Sequence, residues 1–141
     1  MLKVCCALII NRGKILITQL DEDSDHPFRW EFPGGKIFEN EFPETCVKRE
    51  VKEELEIEIK ILSNMEPIIY DYGFRKIQLI PFICSIISGK IKLNNHCDYK
   101  WVELNHLSEY KLAEADRKLI ENQRNVEILK KYFREKMNNT R

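Results

Sequence analysis

Trp30-Glu31-Phe32-Pro33-Gly34-Gly35-Lys36, then Glu41, then Arg49-Glu50-Val51-Lys52-Glu53-Glu54-Leu55-Glu56-Ile57, is the stretch on which the fold turns. An aromatic, strand-like run from Phe28 to Phe32 stops at Pro33-Gly34-Gly35. Glycine lets a backbone bend sharply and approach a ligand or metal closely. Pro43 to Glu56 then reads as a helix: proline suits the first turn, and Glu44 is a favourable acid there. Val47, Val51 and Leu55 recur at i, i+4 and i+8, which gives that helix one apolar stripe.

Glu50, Glu53 and Glu54 stand at i, i+3 and i+4, so their carboxylates are neighbours on one helix face. Like charges at this spacing destabilise a helix. A hard divalent cation removes the conflict, and magnesium suits a few carboxylates completed by water and phosphate oxygens. Taken alone, the helix favours a blander reading. Glu44–Lys48, Arg49–Glu53 and Lys52–Glu56 make ordinary surface ion pairs. Two glycines and Glu41 at a defined distance before the acidic face tip the balance toward a cation site.

Working outward, Val4–Ile10 and Lys14–Leu20 read as strands joined by a hairpin turn at Asn11-Arg12-Gly13. Asp21–Pro27 is a polar loop. Ile57–Tyr72 looks extended with a break near Ser63-Asn64, Arg75–Ile87 is a long strand turned by Ser88-Gly89, and Tyr99–Leu104 is another strand. Ala113 to about Met137 is helical, with Ala115, Leu119, Val126, Leu129 and Phe133 at helical spacing and an interruption expected at Asn122–Asn125. Strands on both sides of one helix, with a closing helix, predict an α/β domain layered around a mixed sheet. The length of 141 residues suits one domain, 1–141, able to bury a real core.

Lys plus Arg equals Asp plus Glu at 23 each. That balance argues against a general binder of nucleic acid or membrane surfaces, which needs a basic excess. Five cysteines without a C-x-x-C pair predict a reduced, cytoplasmic protein and speak against zinc. The first apolar run is too short to span a bilayer.

The quoted stretch resembles the signature of the Nudix hydrolases, G-x5-E-x7-R-E-U-x-E-E-x-G-U with U aliphatic. Gly35, Glu41, Arg49, Glu50, Val51, Glu53, Glu54 and Ile57 fill its positions, and Glu56 departs where the family usually has glycine. The resemblance implies an α/β/α sandwich around a mixed β-sheet. It also implies a magnesium-dependent pyrophosphohydrolase, with manganese a possible substitute. By the same resemblance Glu50, Glu53 and Glu54 hold the metal with the Gly34 carbonyl. Arg49 orients a catalytic glutamate, Glu50 is the chosen general base, and Glu41 ties loop to helix.

Phe32-Pro33-Gly34-Gly35-Lys36, the first strand pair and Leu112-Ala113-Glu114-Ala115-Asp116 further resemble the MutT subgroup. Its members convert nucleoside triphosphates to monophosphates and pyrophosphate, among them oxidised guanine and cytidine nucleotides. On that pattern Asp116 reads the base as an ionised acceptor, while Phe32, Lys36, Tyr72, Arg75 and Ile77 bind substrate. Without the family, Phe32, Tyr72 and Ile77 read as core, and Asp116 as a helix-start residue. Leu20 stands where relatives often carry a phosphate-binding arginine, for which Arg29 or Lys36 can substitute. Asn95-His96 stands where they commonly carry Glu-His. Asn95 is a weaker metal ligand, and His96 reads as a surface histidine ahead of a ligand or proton shuttle. The expected partner is a small nucleotide, for a monomer or homodimer. A Nudix hydrolase of a sugar nucleotide or dinucleotide, or a non-catalytic nucleotide-binding module, remain alternative readings.

Overall fold

Strand β1 (Leu2–Asn11) is the axis of the molecule. The tight turn after it has Arg12 and Gly13 both at positive φ (52° and 79°), the backbone of a two-residue hairpin. The chain returns as β2 (Lys14–Leu20). Two short strands follow, β3 (Trp30–Glu31) and β4 (Gly34–Lys36), then helix α1 (Pro43–Leu55). Next come β5 (Glu58–Asn64), β6 (Ile68–Asp71), β7 (Lys76–Ser88) and β8 (His96–Glu103). A 3-10 turn (Leu104–Glu109) leads to α2 (Glu114–Glu121) and α3 (Gln123–Asn139). This computed structural model describes residues 1–139, with side chains described through Arg134.

The sheet runs β3-β2-β1-β7-β5, with β4 paired to β1, β6 to β7 and β8 to β2. Only β1–β7 is parallel among these pairs, so the sheet is mixed. Because strand side chains alternate between faces, β1 serves two cores. Cys5, Ala7 and Ile9 pack with Val47, Val51 and Leu55 of α1. Cys6, Leu8 and Ile10 face Ala115 and Leu119 of α2 and Leu129 of α3. The result is the expected α/β/α sandwich.

Two of the differences from the sequence expectation lie ahead of α1, while the break expected in the closing helix is found. The aromatic strand is shorter, because Phe28 takes a left-handed φ of 62° and leaves only Trp30–Glu31 extended. Gly34–Lys36 is not merely the end of a strand but pairs antiparallel with Val4–Cys6. The closing helix is broken at Asn122, inside the expected interruption. Its side-chain oxygen accepts the Asn125 N–H at 3.1 Å and so caps α3. Asn125, fully buried, in turn bonds both backbone groups of Glu66 and the Leu119 carbonyl, and so ties the α2–α3 joint to the β5–β6 connection.

Candidate active site

The glycine pair holds the loop against both β1 and α1. A β-carbon on Gly34 would lie 2.0 Å from the Cys5 carbonyl oxygen, and one on Gly35 would lie 2.4 Å from the Glu50 carboxylate. At Gly34 the neighbour is backbone and leaves no room for a side chain, whereas at Gly35 a side chain would displace the Glu50 carboxylate, which rests on the bare backbone.

Arg49 organises the near side of the helix. Its Nε and Nη2 donate to the two oxygens of Glu41 at 2.7 and 3.0 Å, and Nη2 also reaches the Lys36 carbonyl at 3.2 Å. Nη1 donates to Glu50 at 2.8 Å and to Glu53 at 3.3 Å. The guanidinium stacks on the Phe38 ring, 3.8 Å from its centroid. Glu41 therefore clamps the loop to the helix, and the hydrogen bonds from Arg49 hold its carboxyl down to about 2. Glu50 goes the other way. Burial raises it above the ordinary glutamate range, with Arg49 opposing.

Glu54 points away from that cluster. Its Oε1 accepts the Gly34 N–H at 3.2 Å. Its Oε2 lies 3.6 Å from His96 Nε2, which is itself 2.9 Å from Glu31 Oε2. Among the described residues these are the three whose donor atoms gather as a possible metal set, all within 4.8 Å of one another. Burial, then the charges of Glu31 and Glu50, push the Glu54 carboxyl up to about 9. The acidic face thus holds more negative charge than its surroundings solvate, and its hard oxygen donors fit a divalent cation.

Glu31 was not picked out as a site residue from the sequence, and of the two readings weighed for His96 the surface one is corrected. Its side chain is only 2 % exposed. Two features place it. The segment before β8 is laced to the end of α1: the Asn94 N–H donates to the Glu54 carbonyl at 3.0 Å and its side chain to the Glu53 carbonyl at 2.8 Å. Then β2 and β8 slip by one residue, so that Gln19 faces Asp98 but Leu20 faces His96. Thr18 faces Glu31 across the other edge of β2. Opposed residues share a sheet face, and positions 18 and 20 of one strand share it too. The bulge therefore puts His96 on the Glu31 side, where an unbroken ladder would put Cys97.

The substrate-side residues fall into two groups. Asp116, in the first turn of α2 and buried, accepts the Phe32 N–H at 2.8 Å. The Tyr72 hydroxyl accepts the neighbouring Ala115 N–H at 3.2 Å, and its ring meets Tyr70 edge-on at 4.6 Å. Phe32, Tyr72 and Ile77 all belong to the core on the α2 side of the sheet, as their blander reading held. Lys36 and Arg75 are exposed. Arg29 donates to the Leu112 carbonyl at 3.0 Å. The expected ionised Asp116, a pure acceptor, meets surroundings that oppose its charge. Burial and the nearby Glu31 raise its carboxyl well above the aspartate range, with the Phe32 bond opposing. A protonated carboxyl donates as well as accepts.

The family model for the NUDIX domain matches residues 1–123. The chain belongs to the Nudix family. Relatives of this Nudix chain include the CTP pyrophosphohydrolase of Escherichia coli K12, 31% identical over 121 residues, covering 86% of this chain and 90% of that protein. The 8-oxo-dGTP diphosphatase of Buchnera aphidicola is 32% identical over 117 residues, covering 83% and 88%. Among solved structures, the MutT protein of Methanosarcina mazei Go1 superposes with a TM-score of 0.76 at 28% identity, covering 85% of this chain and 90% of its own. No helix among the described residues is long and apolar enough to cross a membrane.

Proposed function

We propose that this Nudix chain hydrolyses a nucleoside triphosphate to the monophosphate and pyrophosphate, with magnesium as cofactor and manganese able to replace it. The reading puts it in the cytoplasm as a monomer or homodimer, clearing an oxidised guanine or a cytidine-type nucleotide from the pool. The observation that carries it is the junction at Phe32-Pro33-Gly34-Gly35. One end of this short segment gives its Phe32 N–H to Asp116, and the other gives its Gly34 N–H to Glu54. A base-reading carboxyl and the acidic face are thereby fixed about one residue-pair apart on a single rigid strand–loop. The two curated relatives described above carry names of the same chemistry.

Glu50, Glu53 and Glu54, with the Gly34 carbonyl, are the proposed cation ligands. A bound divalent cation would neutralise charge on the phosphate oxygens and activate the attacking water. The chain's own residues supply the rest. Arg49 fixes the Glu50 carboxylate, the proposed general base, against Gly35. Burial lifts Glu50 toward the range in which a base works best. The half-buried Tyr72 and Ile77 offer aromatic and apolar surface to the base, with Phe32 buried in the same core, while the exposed Lys36 and Arg75 offer charge to the phosphates. Fixed geometry of this kind carries much of the acceleration in phosphoryl chemistry.

The test is incubation with magnesium and a panel of ordinary, oxidised and methylated nucleoside triphosphates, sugar nucleotides and dinucleotides, beside Glu53→Gln. Pyrophosphate released from one triphosphate, and lost in the variant, is the expected result. Cleavage confined to sugar nucleotides or dinucleotides would discard the reading of Asp116. No magnesium-dependent cleavage of any compound would discard the reaction.

A further inference from the structure

We propose that Glu31, Glu54 and His96 form a second cation position, for a first-row divalent ion that accepts imidazole, such as zinc. It shares Glu54 with the magnesium face proposed above and lies on the sheet side of it. The donor chemistry decides the class of ion. Magnesium takes oxygen ligands and holds its waters, whereas zinc, cobalt and nickel take a histidine nitrogen readily. Bonds of about 2.0–2.2 Å to a common ion place neighbouring donors about 3.0–3.5 Å apart. His96 Nε2 stands 2.9 Å from Glu31 Oε2 and 3.6 Å from Glu54 Oε2, so little movement is needed.

Four further observations point the same way. Glu54 Oε1 is engaged by Gly34, which leaves Oε2 as the oxygen facing the cluster. His96 Nδ1 is buried without a hydrogen-bond partner, so nothing at that end of the ring fixes the tautomer. The proton can reside there while Nε2 lends its lone pair. Glu31 is 26 % exposed, which gives an ion an entry and leaves room for water or a phosphate oxygen to complete the shell. The bulge that turns His96 inward is a device that re-aims a side chain, and bulges gather beside active sites.

The test uses the whole chain labelled with nitrogen-15 and titrated with zinc while the imidazole nitrogens are followed by NMR. The chain has three histidines, and the exposed His26 and His106 serve as internal controls. Zinc is expected to give one nitrogen of His96 a coordination shift complete at one equivalent, and excess magnesium to give none. Glu31→Gln can still accept a hydrogen bond from the ring but loses the charge. It is expected to weaken zinc binding at least about tenfold with its backbone amide spectrum otherwise unchanged. A His96 ring that stays unshifted at saturating zinc overturns the proposal, as does a Glu31→Gln variant that binds zinc as tightly as the parent. Pyrophosphate release with magnesium is read separately on the same sample, so failure of the reaction and failure of the zinc position are told apart.

Discussion

At Gly35 the absence of a side chain is what lets Glu50 lie against the backbone, 2.4 Å from where a β-carbon would stand. Gly35→Ala should therefore displace the Glu50 carboxylate while the sheet and helix stay in place. A misplacement of about 1 Å costs about 100-fold in rate, so kcat for pyrophosphate release should fall by that order with a small change in Tm. An unchanged kcat would remove Glu50 from the reaction. Asp116 gives a second prediction. Its folded pKa is raised above the ordinary 3.8, so the folded state keeps a proton that the unfolded chain releases. Stability should then fall as pH rises above about 4 toward the folded value. Asp116→Asn keeps an oxygen for the Phe32 N–H and removes the titration. Its Tm should decline less than the parent's between pH 4 and 8, and parallel profiles would refute this. The three signature glutamates could be found in the sequence because their spacing is local. Glu31 could not, and His96 could be weighed as a ligand only behind a surface reading. They are 65 residues apart, and in the run His96-Cys97-Asp98-Tyr99-Lys100 the alternation sets Cys97 and Tyr99 on one face and His96 on the other, which predicts the wrong residue facing in. Only the one-residue slip against β2 decides it.

At the scale of elements, helix α1 ends where the Nudix signature and this chain disagree. Glu56 takes a left-handed φ of 56°, a conformation that glycine adopts without steric cost and other residues do not. Its N–H still bonds the Lys52 carbonyl, so the turn keeps the usual geometry under strain. Glu56 makes one exposed ion pair with Lys92 at 3.7 Å, and such a pair is worth little. Glu56→Gly should stabilise the protein by about 1 kcal/mol, read as a rise in Tm of a few degrees. A fall would show that the Lys92 pair matters more than the backbone. The apolar stripe of α1 and the β1–β2 hairpin were legible because period and turn chemistry agree with the final packing. Strand β4 was not, since Gly34-Gly35-Lys36 carries no strand propensity and pairs only because β1 leaves that edge open. The break at Asn122 was legible from the polar run Asn122–Asn125, although the buried role of Asn125 was not.

For the whole molecule, the balance of 23 basic and 23 acidic residues conceals an uneven field. Negative charge gathers around Glu54, whose carboxyl is held up to about 9 against an ordinary 4.5. Between those values the folded state holds a proton that the unfolded state gives up, so the cation-free protein should lose stability as pH rises through that window. At the proposed site a divalent cation would take the place of that proton. Magnesium should raise Tm more at pH 8.5 than at pH 6, and a chelator should reverse the rise. A cation at about 100 times its Kd contributes about 2.7 kcal/mol. An equal rise at both pH values would separate Glu54 from the cation. The layered architecture followed from the order of strands and helices, yet the joining of distant strands around β1 did not. The family match ends at residue 123, and α3 continues past it to bury Leu129 in the second core.

The slip that turns His96 inward also turns its neighbour out. Cys97 is the exposed cysteine, while Cys5, Cys6, Cys46 and Cys84 are all buried, where apolar surroundings keep thiols inert. A maleimide fluorophore would therefore attach at one place without any engineering of the chain. That place is the outer face of β8, one residue from the histidine, so its emission would report occupation of the site in real time.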